Sequence, residues 1–249
     1  MITEKEQLVS FVLHLADDSL VLGHRNSEWT GHGPILEQDI AISNIALDLI
    51  GQARNFYQYA AALKADGATE DTLAYLRDAM DYKNALIAEL NKGDWAVTTL
   101  RQFFFSTSKF YLYQQLQNNS DTTLAAIAEK SLKEVTYHLR WSAEWVIRLG
   151  DGTDESNARV KTALEYLWPY TGELITPASY EQAQPGIDFA ALKKNWTNHV
   201  LQVLEQALLT PPVNDWMQSG GKQGIHTEHL GYLLAEMQYL QRSYPGCEW

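Results

Sequence analysis

Few residues of this 249-residue chain have the type and spacing to do chemistry. His138 follows Val135 by three positions and Glu134 by four. Gln52 follows Leu49 by three, Asp18 is a carboxylate on a stripe with Leu8, Phe11, Leu15 and Leu22, and His226 and His229 stand three apart. Side chains three or four apart share a helix face. Helical bundles use that spacing for di-metal sites, with a Glu from each of two helices and a Glu-x-x-His from each of two others. Here the histidine of one such pair is present at 138 with Val135 in the carboxylate's place. At 49 and 52 both ligands are replaced, by Leu and Gln.

Asp18, Glu134 and His138 are the residues left to salvage a metal site. The competing expectation is a buried histidine hydrogen-bonded to a carboxylate, with Asp18 the first candidate partner and Glu134 the second, because buried imidazole and carboxylate each need a partner. His226 and His229 have zinc-compatible spacing, against the alternative of capping and surface contacts at a helix start.

The elements that must position these residues follow from periodicity. Ile42, Ile45, Leu49, Ala53, Phe56, Ala60 and Leu63 recur at steps of three and four, as do Leu124, Ala128, Ser131, Val135, His138, Ser142, Trp145 and Leu149. Such stripes predict long helices in an antiparallel bundle. The first helix is expected over residues 3–25, opened by a Thr3/Glu6 capping box, and the second ends at 65–67. Short helices are expected over 69–91. The third, 95–117, is capped by Asp94 and contains no Asp or Glu, so it supplies no carboxylate ligand in any register. The fourth runs from a cap at Asp121 to a glycine stop at Gly150. Further helices are expected over 155–174 and 188–208, with a loop at 176–186, a flexible basic loop at 219–224, and a last helix from 226 to about 244. The expected organisation is one domain over 1–249, with a core bundle at 3–150 and C-terminal helices at 155–249.

Composition narrows the classes. A 45% apolar share supports a real core, and a net charge of −12 argues against nucleic acid or an anionic membrane surface as partner. The single cysteine, Cys247, fits a reducing cytoplasm. No signal peptide and no apolar run of membrane-spanning length is expected. The aromatic load, with Phe103, Phe104, Phe105, Phe110, Tyr111 and Tyr113 on one helix and Trp141 on another, suits a core and a large subunit interface. The set Asp81, Tyr82, Lys83 and Asn84 joins cation, amide and ring in the way the nucleotide end of CoA would need, Lys83 for phosphate and Tyr82 for adenine. Gln182, Ala183 and Gln184 are candidates for the same surface. The alternative is an ordinary polar connector.

Three motifs carry a family resemblance: Gly51-Gln-Ala-Arg-Asn55, Thr136-Tyr-His-Leu-Arg140, and Gly220-Gly-Lys-Gln-Gly-Ile-His-Thr-Glu-His-Leu-Gly231 continuing through Leu234-Ala-Glu-Met-Gln-Tyr-Leu-Gln-Arg242. From Asp17 to Trp249 the chain resembles the family of structural, non-catalytic subunits of bacterial phenylacetyl-CoA 1,2-epoxidases, multicomponent monooxygenases of phenylacetate degradation. The resemblance implies an all-α, ferritin-like four-helix bundle with additional C-terminal helices. It implies a sister subunit of the same fold that holds the di-iron centre, and a reductase with flavin and an iron–sulfur cluster that delivers electrons from NADPH. This chain would then be the structural partner, with no cofactor of its own. The sister's Asp-Glu-x-x-His-Gly motif, laid on residues 48–53, puts its Glu on Leu49 and its His on Gln52. Two other readings stay open: an active di-metal oxygenase using Asp18, Glu134 and His138, and a ferritin-like storage protein. The acid-free third helix speaks against both.

Overall fold

The computed structural model describes residues 3–213 and 216–247, and all regular structure among them is helical. The chain forms two compact units, Met1–Asn91 with Gly220–Trp249, and Lys92–Ser219. The last stretch of chain therefore folds with the first.

The first unit is built on the hairpin of α1 (Glu4–Ser27) and α2 (Leu36–Lys64). Thr3 and Glu6 form the expected capping box, the Thr3 N–H donating to Glu6 at 2.7 Å and the Glu6 N–H to the Thr3 hydroxyl at 3.2 Å. From 11 to 23 α1 is buried on every side, so its polar residues, His14, Asp17, Asp18 and Ser19, must all find partners inside the protein. Gly23 lets α2 approach, since a Cβ there would lie 3.1 Å from Ile50 and 3.3 Å from Leu49. Ile42, Ile45, Leu49, Ala53, Phe56 and Ala60 of α2 are buried as a stripe. The helix ends where expected, at Ala65 in the left-handed region (φ 54°). Then come α3 (Glu70–Tyr75), a 3-10 turn at Ala79–Asp81, and α4 (Leu86–Glu89).

The second unit repeats the plan. Its hairpin is α5 (Trp95–Leu116) and α6 (Thr122–Gly150), with α5 enclosed from 98 to 109. Asp94 and Asp121 cap these helices as expected, accepting from Val97 at 3.0 Å and from Thr123 and Leu124 at 3.1 and 3.0 Å. In place of acids, α5 buries hydroxyls that donate to carbonyls: Thr99 to Trp95 at 2.8 Å, Thr107 to Phe103 at 2.7 Å and Ser108 to Leu174 at 2.7 Å. On α6 the stripe holds from Leu124 to Ser142, then slips to Val146 and Gly150 instead of Trp145 and Leu149. A 3.6-residue helix drifts by about 20° per heptad against a strict 3.5 repeat, which produces this slip.

The expected helix at 155–174 is in fact α7 (Asp154–Leu167), a 3-10 turn at Trp168–Tyr170 and α8 (Gly172–Ile175). Pro169 breaks it, having no N–H to donate and a ring that clashes with the preceding turn. The expected loop at 176–186 holds one helical turn, α9 (Ser179–Gln182), before α10 (Phe189–Gln206). Back in the first unit, the glycine-rich loop is not loose. It forms a 3-10 turn at Gly221–Gln223 with Lys222 buried, and Gly224 (φ 81°) abuts the Met80 carbonyl. The last helix divides into α11 (Glu228–Met237) and α12 (Tyr239–Ser243). Among the described residues no helix is long and apolar enough to cross a membrane.

Gly150 is required for a reason other than the expected left-handed stop. A Cβ there would sit 2.1 Å from the Ala207 carbonyl oxygen, so Gly150→Ala should lower the unfolding free energy by about 2 kcal/mol or more. Gly51 meets nothing within 4 Å, and Gly51→Ala should raise it by about 0.5–1 kcal/mol through helix propensity. Denaturant titration of the two variants checks both signs.

Candidate functional site

The chemistry-bearing side chains of the first unit converge on two buried carboxylate clusters. In the first, Asp17 is fully buried in α1. Its Oδ1 accepts from the Tyr57 hydroxyl at 2.6 Å and from Arg77 Nη2, and its Oδ2 accepts from Arg77 Nη1 at 3.1 Å and from the Lys83 N–H at 2.8 Å. The Arg77 guanidinium also lies 4.2 Å from the centre of the Tyr82 ring. Burial pushes the Tyr57 and Tyr82 phenols above their ordinary values, and Asp17 adds to both shifts. Burial pulls the Arg77 pKa down, but the neighbouring Asp17, with Tyr57 and Tyr82, more than offsets it and leaves it raised. Removing either Asp17 or Arg77 would strand a buried charge at a cost of about 3–5 kcal/mol. Beside it, Asp18 accepts from the Ala85 N–H at 2.7 Å and lies 3.5 Å from His14 Nε2, while His14 Nδ1 bonds the Lys83 carbonyl at 2.8 Å. Residues 83–85 are thus bound through their backbone by α1 side chains.

The second cluster centres on Glu89, also fully buried. One carboxylate oxygen accepts from the Thr227 N–H and hydroxyl at 2.6 and 2.8 Å; the other accepts from Asn84 at 2.8 Å and faces His226 Nδ1 at 2.7 Å. His226 Nε2 faces the Tyr82 carbonyl at 3.0 Å. Both ring nitrogens therefore meet acceptors, and only an imidazolium can donate to both. Burial lowers the His226 pKa, but the hydrogen bond to Glu89 and its charge outweigh that, leaving it raised above 6.5. Arg25 completes the dock, donating to the Glu89 carbonyl at 3.0 Å and the His229 carbonyl at 3.0 Å. Gln238 and Arg242, one turn apart, close the far side by donating to the Arg77 carbonyl at 3.0 and 2.9 Å.

This geometry revises several expectations. His226 has both nitrogens occupied and is no zinc ligand. Asp18 finds partners within its own unit, His14 and Ala85, which were not anticipated. Tyr82 and Asn84 are wholly buried, so the Tyr82 ring packs under Arg77 and is not presented to an adenine. Asp81 is exposed and its carboxylate accepts from the Asp78 N–H at 3.2 Å; Lys83 is half-exposed. Gln182 and Ala183 are exposed at the end of the second unit's short α9, whereas Gln184 is buried and donates to the Tyr180 carbonyl at 2.8 Å. Leu49, Gln52, Val135 and His138 are all buried, and Glu134 is half-buried. Leu49 and Gln52 lie with Asp18 in the first unit, Val135 and His138 in the second. Among the described residues no three His, Cys, Asp or Glu side chains are grouped as metal ligands would be.

Sequence reasoning missed Asp17, Tyr57, Arg77 and Glu89. The available signal was Asp17-Asp18, two adjacent acids inside a helix otherwise too apolar to face water.

A family model described as phenylacetic acid catabolic protein matches residues 1–249. The chain belongs to that family. Its fold class, an all-α, ferritin-like bundle with further C-terminal helices, is the one expected from the sequence. A curated relative, the C subunit of the 1,2-phenylacetyl-CoA epoxidase of Escherichia coli strain K12, is 45% identical over 247 residues, covering 98% of this chain and 99% of the relative. The C-terminal motif that carried the resemblance includes His226, Thr227, Gln238 and Arg242, whose side chains hold the last helices against residues 74–89.

The imidazolium makes stability depend on pH. A raised folded-state pKa means that the contribution of His226 is complete below 6.5 and is lost as pH rises through the raised value. The stability difference between the native chain and His226→Gln should therefore be largest at about pH 6 and shrink toward pH 8.5. Denaturant melts across that range measure it, and a difference that does not vary with pH would contradict the doubly donating imidazolium.

Proposed function

We propose that this chain is the structural, non-catalytic subunit of a multicomponent monooxygenase that epoxidises the ring of phenylacetyl-CoA, and that it pairs with and stabilises a di-iron subunit of the same fold. The carrying observation is the pair Leu49 and Gln52. Both are buried on the inner stripe of α2, where the resemblance places the Glu and His of the catalytic sister. Val135 replaces the carboxylate of the other Glu-x-x-His, and α5 has no acid at all. The inward acids that remain in the first unit, Asp17, Asp18 and Glu89, already accept from backbone amides and cationic side chains. In this reading the iron belongs to the sister, flavin and the iron–sulfur cluster belong to a reductase, and any contact with the CoA ester is peripheral.

The outer face of α2 supports the pairing. Leu36, Ile40, Leu47 and Ile50 are exposed and fall on one helix face at steps of four, seven and three. This apolar stripe runs for about 21 Å, and Arg54 continues it at the next step of four. A soluble helix that turns one apolar stripe inward and another outward has a second partner to meet. An obligate interface on such a face buries more than about 2,000 Å².

Size-exclusion chromatography of the co-expressed chains tests the proposal. They should co-elute, Leu47→Glu should separate them, and the sister alone with its reductase should turn over far more slowly than the pair. Separate elution at micromolar concentration, with full turnover by the sister alone, would overturn it.

A further inference from the structure

A groove in the second unit runs along α6 where it meets α10. Its volume is about 400 Å³, and its floor is apolar: Phe110, Leu139, Ala143 and Val203. On its rim stands Arg140, exposed and, among the described residues, with neither an ion pair nor a hydrogen bond. The rim carboxylate, Glu144, lies 3.9 Å from Arg148, so a different cation faces it. His199 forms part of the wall. Its Nδ1 is 3.1 Å from the Tyr111 hydroxyl, and partial burial lowers its pKa and keeps it neutral. In the tautomer whose Nδ1 accepts from the hydroxyl, the ring proton sits on Nε2, a second donor to accompany the guanidinium.

We propose that this groove binds a small organic monocarboxylate with an aryl or alkyl body. The charge sets the headgroup. One guanidinium and one neutral donor match a carboxylate, which Arg binds through two parallel N–H···O contacts. A nucleotide or a CoA ester carries several phosphates and would need several cations, and Arg140 is the one cation on this lining. The floor sets the body. Small-ligand pockets of about 300–1,000 Å³ are largely apolar with a few placed polar groups, and the Phe110 side chain offers a ring for edge-to-face contact with an aryl group. The site stands on α5, α6 and α10 alone and does not depend on the pairing proposed above.

Fluorine NMR of 4-fluorobenzoate with the full chain is the test. Binding should saturate with a dissociation constant on the order of 1 mM, typical of a ligand of about ten heavy atoms. Arg140→Gln, a change at an exposed position, should weaken it at least about tenfold with an unaltered melting temperature. The uncharged 4-fluorobenzyl alcohol should bind native protein as weakly as 4-fluorobenzoate binds the variant. Ala143→Leu, which fills the floor, should also remove binding. Absence of saturable binding to native protein, or equal binding to the Arg140→Gln variant, would overturn the proposal.

Discussion

The first unit depends on one constraint: α1 is enclosed on all sides and still carries adjacent carboxylates. A buried carboxylate without partners costs several kcal/mol, so the chain around Asp17 and Asp18 is arranged to supply donors. Arg77, Tyr57 and the amides of Lys83 and Ala85 meet that need. Placing Arg77 there leaves the carbonyls of its own segment to be capped, and Gln238 and Arg242 cap them. Glu89 then receives Thr227 and His226 at the start of α11, where a carboxylate also suits the positive end of the helix dipole. The position of the C-terminal helices thus traces back to two acids in the middle of the first helix.

Much of this was legible as periodicity and capping. The stripes on α2 and α6 appear because apolar residues at steps of three and four have one face to occupy, and Thr3, Asp94 and Asp121 cap helices through contacts within four residues. What was not legible is long-range. Nothing near Glu89 in sequence announces His226 and Thr227, more than 130 positions later. Tyr82 and Lys83 resemble a nucleotide-binding set because composition cannot tell a ring packed under a guanidinium from one facing solvent. The glycines at 220–224 suggested mobility, but Gly224 is there because a side chain would collide with the Met80 carbonyl. Pro169 was a local signal that the helix periodicity around it obscured.

The two units solve the same burial problem differently. In the first, the enclosed helix keeps acids and surrounds them with donors. In the second, α5 carries none, and its hydroxyls and amides return hydrogen bonds to nearby groups, as Gln102 does to Ser106 at 2.7 Å. Both solutions leave polar groups committed to holding the fold. A di-metal centre needs several carboxylates that can turn from the fold toward an ion. The proposal that a sister protein carries the oxygen chemistry rests on that commitment of the acids, together with Leu49 and Gln52.

Elemental analysis of the purified chain, incubated with excess ferrous iron and then desalted, tests this most directly. If the inner acids are committed as described, the iron retained should be far below one equivalent per chain. Retention of about two irons per chain, the complement of a di-iron carboxylate site, would contradict the account and make this chain an oxygenase in its own right.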